Sequence, residues 1–414
     1  MVAWADGDAV GYAAMNSSTG SSGNGTRPMA VLGHGIIGAG WMGHVHGRAT
    51  ARLAHHYPDL PLRTSLVAVA DTLPDHLDHF RDQHGPLELH EDWRAVVADP
   101  RVTIVSVTAP NAVHAEIGEA VARAGKHLWI EKPVGLDAAD CERVAVAVRQ
   151  AGVSSAVGFN YRNFPMVERA QELIASGAIG RPTHATFRTL ADYAADPGGT
   201  LSWRYTTAQG GHGILADLGS HGFDLIRMLL GDIEELVADT STFIGRRPVA
   251  KPGASHFATA DLDDPDLEFG EVENEDYFCS LLRLANGARV TYEAGRSSIG
   301  DQCNYGFHIH GTEGAISWDF RRSDELAVSI GGAYQGRPTQ VVYGAPGDGD
   351  YQRFQPGAGV AIGYDDSKVI ELARLLESIS SGRPRGATIE DALLAARANE
   401  AVLASMSSGR WARV

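Results

Sequence analysis

Cysteine and lysine are both scarce in this chain of 414 residues, and none of its apolar runs is long. The three cysteines, Cys141, Cys279 and Cys303, lie far apart and are odd in number, which fits neither a disulfide framework nor a zinc ligand set and predicts a reducing, cytoplasmic setting. No apolar run approaches the ~18 to 20 residues of a membrane span, so no membrane partner is expected. Positive charge is also short. With 35 basic residues against 51 acidic ones, the net charge of −16 would repel a bare phosphate backbone, and nucleic acid is not an expected partner. Only four of the basic residues are lysines: Lys126, Lys132, Lys251 and Lys368. Arg holds its proton while Lys can release it, so a lysine in an apolar setting is worth inspecting. Lys132 is such a residue.

What is present is ordinary globular composition, 44% hydrophobic and 21% charged, at a length that suits two or three domains. Residues 1–28 lack the basic and apolar regions of a secretory signal, and their SSTGSSGNG stretch reads as a disordered tail. From residue 29 to 158 short β-branched runs (29–32, 66–70, 102–107, 127–130, 153–157) alternate with amphipathic helices predicted over 112–124 and 137–151. That order belongs to a parallel sheet wrapped by helices. Over 159–414 longer alternating strands predict a second domain, with Asn286-Gly287 as the turn of a tight hairpin, followed by helices at 363–380 and 389–407. Residues 261–276 hold nine acids in sixteen positions. They read as a solvated loop, because the spacing lacks the glycine and terminal glutamate of a calcium loop.

Four segments carry chemistry. Gly33-His-Gly35-Ile36-Ile37-Gly38 follows the first strand and predicts a phosphate-cradling turn at a helix N-terminus. Asp71 ends the second run, where an acid bonds a ribose 2′-hydroxyl and favours NAD over NADP; an insertion over 55–64 accounts for its distance from Gly38. Glu131-Lys132-Pro133 closes the 127–130 run, which aims Lys132 toward the ligand crevice outside the strand ends. Asp217 and His221 lie four apart in a helical stretch, either as an acid–base pair or as a helix-surface interaction. His34 and His212 sit in glycine turns, where ligand contact and turn stabilisation are both open. His308 and His310 share a strand face, yet no further metal ligands accompany them.

Together the glycine motif, Glu131-Lys132-Pro133 and Asp217-x-x-x-His221 resemble the glucose-fructose oxidoreductase and inositol dehydrogenase (Gfo/Idh/MocA) family over residues 29–414. Thr108-Ala-Pro110-Asn111-Ala-Val-His114, Gly158-Phe-Asn160-Tyr161-Arg162, Ser202-Trp203-Arg204 and Gly311-Thr312-Glu313-Gly314 are each similar to family segments. The resemblance implies an α/β fold: an N-terminal doubly wound Rossmann sheet, then an α/β domain on a large, mostly antiparallel open sheet. It implies an NAD-dependent enzyme in which His221 takes the proton of a substrate hydroxyl, Lys132 hydrogen-bonds the substrate and Asp217 orients the reacting group, with no metal. Gly33, Gly35, Ile36, Ile37, Gly38, Asp71, Thr108, Pro110, Asn111, His114, Glu131, Lys132, Trp203 and Arg204 are expected at the cofactor. Lys132, Asn160, Tyr161, Asp217 and His221 are expected at the substrate.

The expected substrate is a sugar, anhydrosugar or inositol, since the 306–326 segment resembles members acting on inositols and levoglucosan-like sugars. A keto-sugar reductase, an NAD-dependent redox-assisted glycosidase and a nucleotide sensor are the other readings. The apolar face of the open sheet implies a homodimer or homotetramer.

Overall fold

The structure is a computed structural model and describes residues 30–250, 258–331 and 334–414. The tail expected over 1–28 lies outside the described residues. Six strands, β1 (Ala30–Ile37), β2 (Leu62–Ala70), β3 (Glu88–His90), β4 (Val102–Val107), β5 (His127–Ile130) and β6 (Ser155–Val157), pair in parallel in the order β3-β2-β1-β4-β5-β6. Between them run α1 (Trp41–His56), α2 (Pro74–His84), α3 (Trp93–Ala98), α4 (Asn111–Arg123) and α5 (Ala138–Ala151). The strand order reverses between β1 and β4, so a crevice opens at their carboxyl ends. The β4 and β5 strands fall where the apolar runs predict them. By contrast, β3 has three residues, too few for a periodic pattern. Half of the insertion expected over 55–64 is absorbed into regular elements, because α1 continues to His56 and β2 begins at Leu62.

The chain then forms α6 (Pro165–Ala175), β7 (Pro182–Leu190), α7 (Thr207–Gly210), α8 (Ser220–Leu230), β8 (Ile233–Ser241), and a small ribbon of β9 (Arg246–Pro248) and β10 (Phe269–Glu271). It continues with β11 (Tyr277–Leu284), β12 (Arg289–Gly295), β13 (Asn304–Gly311), β14 (Gly314–Asp319), β15 (Glu325–Ile330) and β16 (Gln340–Tyr343). Last come α9 (Tyr364–Ser381), α10 (Ile389–Ser408) and β17 (Ala412–Arg413). Nine of these strands make one sheet, β16-β15-β14-β13-β7-β12-β11-β8-β17, antiparallel except where β7 meets β12. Alternate residues of β13 (Tyr305, Phe307 and Ile309) enter the core, whereas Thr186, Leu281, Thr291 and His308 stand exposed on the other face. At the β11–β12 turn only Gly287 takes positive φ. Asn286 instead accepts from the Ala288 N–H and donates to the Leu230 carbonyl.

Two elements depart from the simple division into successive halves. The α9 helix returns to pack on α1, where Arg48 pairs with Asp365 at 2.6 Å and Arg52 pairs with Asp366. The acidic segment is solvated along most of its length, and its acids are buried only at its end, at Glu275 and Asp276. Asp261, Asp263, Asp264 and Asp266 are exposed, but Asp276 is fully buried, bonded to Arg296 Nε at 2.7 Å and to the N–H groups of Phe243 and Ile244. A sequence count of acids does not separate these, because the run ends directly against β11, whose first residue is Tyr277.

Just before β15, the buried Asp324 carboxylate has no hydrogen-bond partner among the described residues. Burial, with Asp348 and Glu325 nearby, pushes its pKa up to about 6. A carboxyl raised on folding leaves stability intact below its unfolded pKa and removes it as pH climbs through the folded one. Asp324→Asn is therefore expected to raise the melting temperature by roughly a degree or two at pH 8 and to change it little at pH 4, as read by calorimetry.

Candidate active site

The glycine turn lies five residues later than the sequence motif placed it. Gly33 and Gly35 are inside β1 together with Ile36 and Ile37, and the space a Cβ would need at Gly33 is taken by the Arg101 carbonyl, at Gly35 by Val96. These glycines serve sheet and helix packing, which corrects their reading as a phosphate turn. The turn proper is Gly38-Ala-Gly40, with α1 starting at Trp41 and Gly43 in its first helical turn. Gly38 has φ +100, and a Cβ there would lie 2.7 Å from the Thr108 carbonyl. At Gly40 a Cβ would meet no atom within 4 Å, and no side chain caps α1. An open cradle in front of uncapped N–H groups fits a pyrophosphate. Asp71 follows the last residue of β2 beside it and accepts from the Ala39 N–H at 2.7 Å.

Around the ends of β4 and β5 the expected residues divide. Thr108 Oγ1 donates to the Gly38 carbonyl at 2.6 Å, so it holds the turn, and Pro110 caps α4. Asn111 donates to the Gly210 carbonyl, reaching across to the second sheet's side of the crevice. His114 is buried, its ring nitrogens 2.6 and 2.7 Å from the carbonyls of Ala109 and Pro133. Both ring nitrogens face main-chain carbonyls, to one of which the neutral ring donates its single N–H, and neither faces a cofactor. Glu131 also turns inward: its carboxylate meets His46 Nε2 at 3.0 Å and Lys368 Nζ at 2.5 Å. Direct cofactor contact by the His114 and Glu131 side chains is corrected on these grounds.

Lys132 projects the other way. Its ammonium donates to both the carbonyl and Oδ1 of Asp217, each at 2.8 Å. Asp217 lies in a π-helical turn, 215–219, that runs straight into α8. The turn is anchored from outside the helix, since Ile214 and Leu215 donate their N–H groups to the carbonyl and carboxylate of Glu275. Burial opposes the Asp217 charge, but Lys132 and Arg204, with the Lys132 and Tyr193 hydrogen bonds, outweigh it and hold the carboxyl well below the usual carboxylate range. His221 is 5% exposed, and its Nδ1 is buried without a partner. Burial, then the Lys132 charge, lowers its pKa well below the ordinary imidazole value. The ring is therefore neutral. Asp217 pairs with Lys132 and with Tyr193 Oη at 2.7 Å, not with His221 as a helix spacing of four would suggest.

Tyr161 packs edge-on against His221 with centroids 4.7 Å apart, whereas Asn160 is buried and donates to Ser367 Oγ. Arg204 stacks on Trp203 and reaches Asp217 at 3.8 Å. His34 is fully buried between Thr50 and Ser106, a packing role. His212 lines a small cavity with Pro133, Leu136 and Ala216. His308 and His310 do lie close on the exposed sheet face, where His184 stacks on His310. Sequence reasoning missed Tyr193, which sits in an irregular segment with no periodicity to flag it. It also missed Trp41, half-exposed and stacked on Tyr364 of α9 at 5.6 Å. Among the described residues, His46, Glu131 and Glu371 come close enough to share an ion. The ammonium of Lys368 already stands between both carboxylates, 2.5 and 2.9 Å away.

A six-stranded parallel sheet with a glycine turn at its switch point, facing a lysine–aspartate pair and a neutral histidine, defines a dinucleotide-dependent oxidoreductase. Residues 32–159 match the oxidoreductase family with an NAD-binding Rossmann fold, and residues 167–317 match the GFO/IDH/MocA C-terminal domain. The chain is 32% identical to levoglucosan dehydrogenase of Pseudarthrobacter phenanthrenivorans over 93% of its own length and 99% of that protein. It is 26% identical to myo-inositol 2-dehydrogenase of Thermotoga maritima, covering 87% and 92% of the two chains. Among solved structures, a levoglucosan dehydrogenase in complex with NADH and levoglucosan superposes with a TM-score of 0.86 at 31% identity, over 93% of this chain and 99% of that one. The chain belongs to the Gfo/Idh/MocA family of oxidoreductases.

Proposed function

We propose that this chain oxidises a secondary hydroxyl of a sugar, an anhydrosugar of the levoglucosan kind or an inositol, or reduces the matching ketone, with NAD. The observation that carries the reading is the neutral, unpartnered His221 ring beside the Lys132–Asp217 pair. An ammonium has three N–H donors. Two of those on Lys132 are held by Asp217, which leaves the third for a substrate oxygen. His221 takes the hydroxyl proton, and the Lys132 charge stabilises the oxygen as negative charge builds on it. Asp217 fixes the direction of Lys132. NAD, when bound, supplies the hydride acceptor. The Gly38–Gly40 cradle and the first turn of α1 would hold its pyrophosphate, and Asp71 its ribose.

Levoglucosan comes first among substrates because a relative 32% identical and matched over 99% of its length is a levoglucosan dehydrogenase. The test follows nicotinamide absorbance with NAD or NADP across anhydrosugars, pyranoses and inositols, with Lys132→Met as control. Turnover with NAD is expected. Lys132→Met should lower kcat by about 10²-fold to 10³-fold while NADH affinity stays within about twofold. Silence across the panel despite NADH binding overturns the dehydrogenase reading, and release of free aglycone without net NADH would replace it with redox-assisted glycoside cleavage.

Residues 29–158 are proposed as the cofactor-binding domain and 159–414 as the domain for substrate and self-association. The exposed face of the nine-stranded sheet carries Leu281, 51% exposed, around a concavity of about 670 Å³. It suits a homodimer or homotetramer, which light scattering checks; a monomer opposes it. The two exposed cysteines, Cys279 and Cys303, support a reducing cytoplasm.

A further inference from the structure

Lys368 is a fully buried cation that the proposed reaction does not use. It lies on α9, far along the chain from the catalytic turn, and reaches that turn through Glu131, the residue before Lys132. The Glu131 carboxylate sits in a closed pocket. His46 bonds it from α1 at 3.0 Å, Lys368 from α9 at 2.5 Å, and a Cβ on Gly158 would fall only 2.3 Å from it. Across Lys368 stands Glu371, whose Oε1 accepts from Lys368 at 2.9 Å and from Trp129 Nε1 at 2.7 Å. Without the ammonium, two carboxylates would share a pocket in which only neutral donors remain, and the chain at Gly158 blocks Glu131 from shifting toward β6.

We propose that Lys368 is a positioning residue: by neutralising Glu131 in its pocket it holds the turn after β5 so that Lys132 points at Asp217. Uncompensated, a buried carboxylate either takes up a proton or moves toward water, and at Glu131 the movable element is the turn that carries Lys132. The inference rests on the catalytic role proposed for Lys132, but its geometric part can be read without any substrate.

The chain has only four lysines, so trace acetylation followed by mass spectrometry reports on Lys132 individually, with Lys126 as internal control. Lys126 donates to the carbonyls of Asp99 and Val102 and to no residue of the Glu131 pocket. In Lys368→Met the labelling rate of Lys132 is expected to rise about fivefold and that of Lys126 to hold, while kcat falls about tenfold with little change in NADH affinity. Adding Glu131→Gln removes the unbalanced charge at Glu131 and leaves Glu371, whose pKa burial already pushes up to about 7, to take up a proton; both quantities should return to within about twofold of the parent, a recovery that a purely structural lysine would not give. Glu131→Gln alone keeps the shape of the pocket and the Lys368–Glu371 pair, and serves should the first variant fail to fold. It should alter Lys132 labelling by less than about twofold. Unchanged labelling in folded Lys368→Met, no recovery in the double variant, or a large rise in Glu131→Gln each overturns the proposal. A parent protein inactive on every substrate, yet showing this labelling pattern, would sink the proposed reaction and leave the positioning role standing.

Discussion

His221→Ala is expected to lower kcat for hydroxyl oxidation by about 10²-fold to 10⁴-fold, with NADH affinity nearly unchanged. The side chain is buried and makes no hydrogen bond among the described residues, so its removal breaks no network; the cost falls on proton removal. The pH profile provides a second reading. Burial and the Lys132 charge keep the imidazole neutral to lower pH than a free histidine, and a base must be unprotonated to act. Oxidation should thus hold its rate down through pH 6.5 and decline only below it, with that acid limb absent in His221→Ala. Ketone reduction, which needs the protonated ring, should rise toward acid pH. An acid limb at or above the ordinary imidazole value, or one that survives the substitution, would count against His221 as the base.

Gly38→Ala is expected to weaken NADH binding by about tenfold to 10²-fold and to lower stability as well, because the new methyl meets both strain and backbone. The residue has φ +100, and the added carbon would stand 2.7 Å from Thr108 and Ala109 main-chain atoms that cannot swing aside. Gly40→Ala is the informative contrast. Nothing in the protein touches that methyl, so the melting temperature should hold while the filled cradle still lowers NADH affinity. Fluorescence titration and thermal melts on the two variants separate the effects; equal NADH affinity in Gly40→Ala and the parent would remove the pyrophosphate from this turn.

Many of the strand and helix positions were legible in residues alone. The β4 and β5 runs are short, β-branched and bounded by turn formers, and the helices at 111–123 and 138–151 fall within a residue of their predicted starts and ends. The glycine turn was misplaced because two glycine series overlap in Gly33-His-Gly35-Ile-Ile-Gly38-Ala-Gly40-Trp-Met-Gly43, and letters cannot tell a glycine that lets strands and helices approach from one that reverses the chain. Lys132, Asp217 and His221 were legible as a group, their pairing was not. A π turn shifts the register between Asp217 and His221, and no periodicity of 3.6 anticipates it. His114 and Glu131 show the same limit: polar residues next to a cleft can face into the protein, and only the fold shows which way they turn.

Because α9 closes the pocket of Glu131, the first 160 residues do not carry their own full set of charges. A fragment ending before Tyr364 would contain the glycine turn, Asp71 and Lys132, yet would bury an acid whose counter-ion had been left behind. The dinucleotide sheet of this chain is for that reason a poor candidate for exchange as a free-standing cassette. In shuffling or grafting, residues 364–371 have to travel with it, so the natural unit of inheritance here joins the two ends of the sequence.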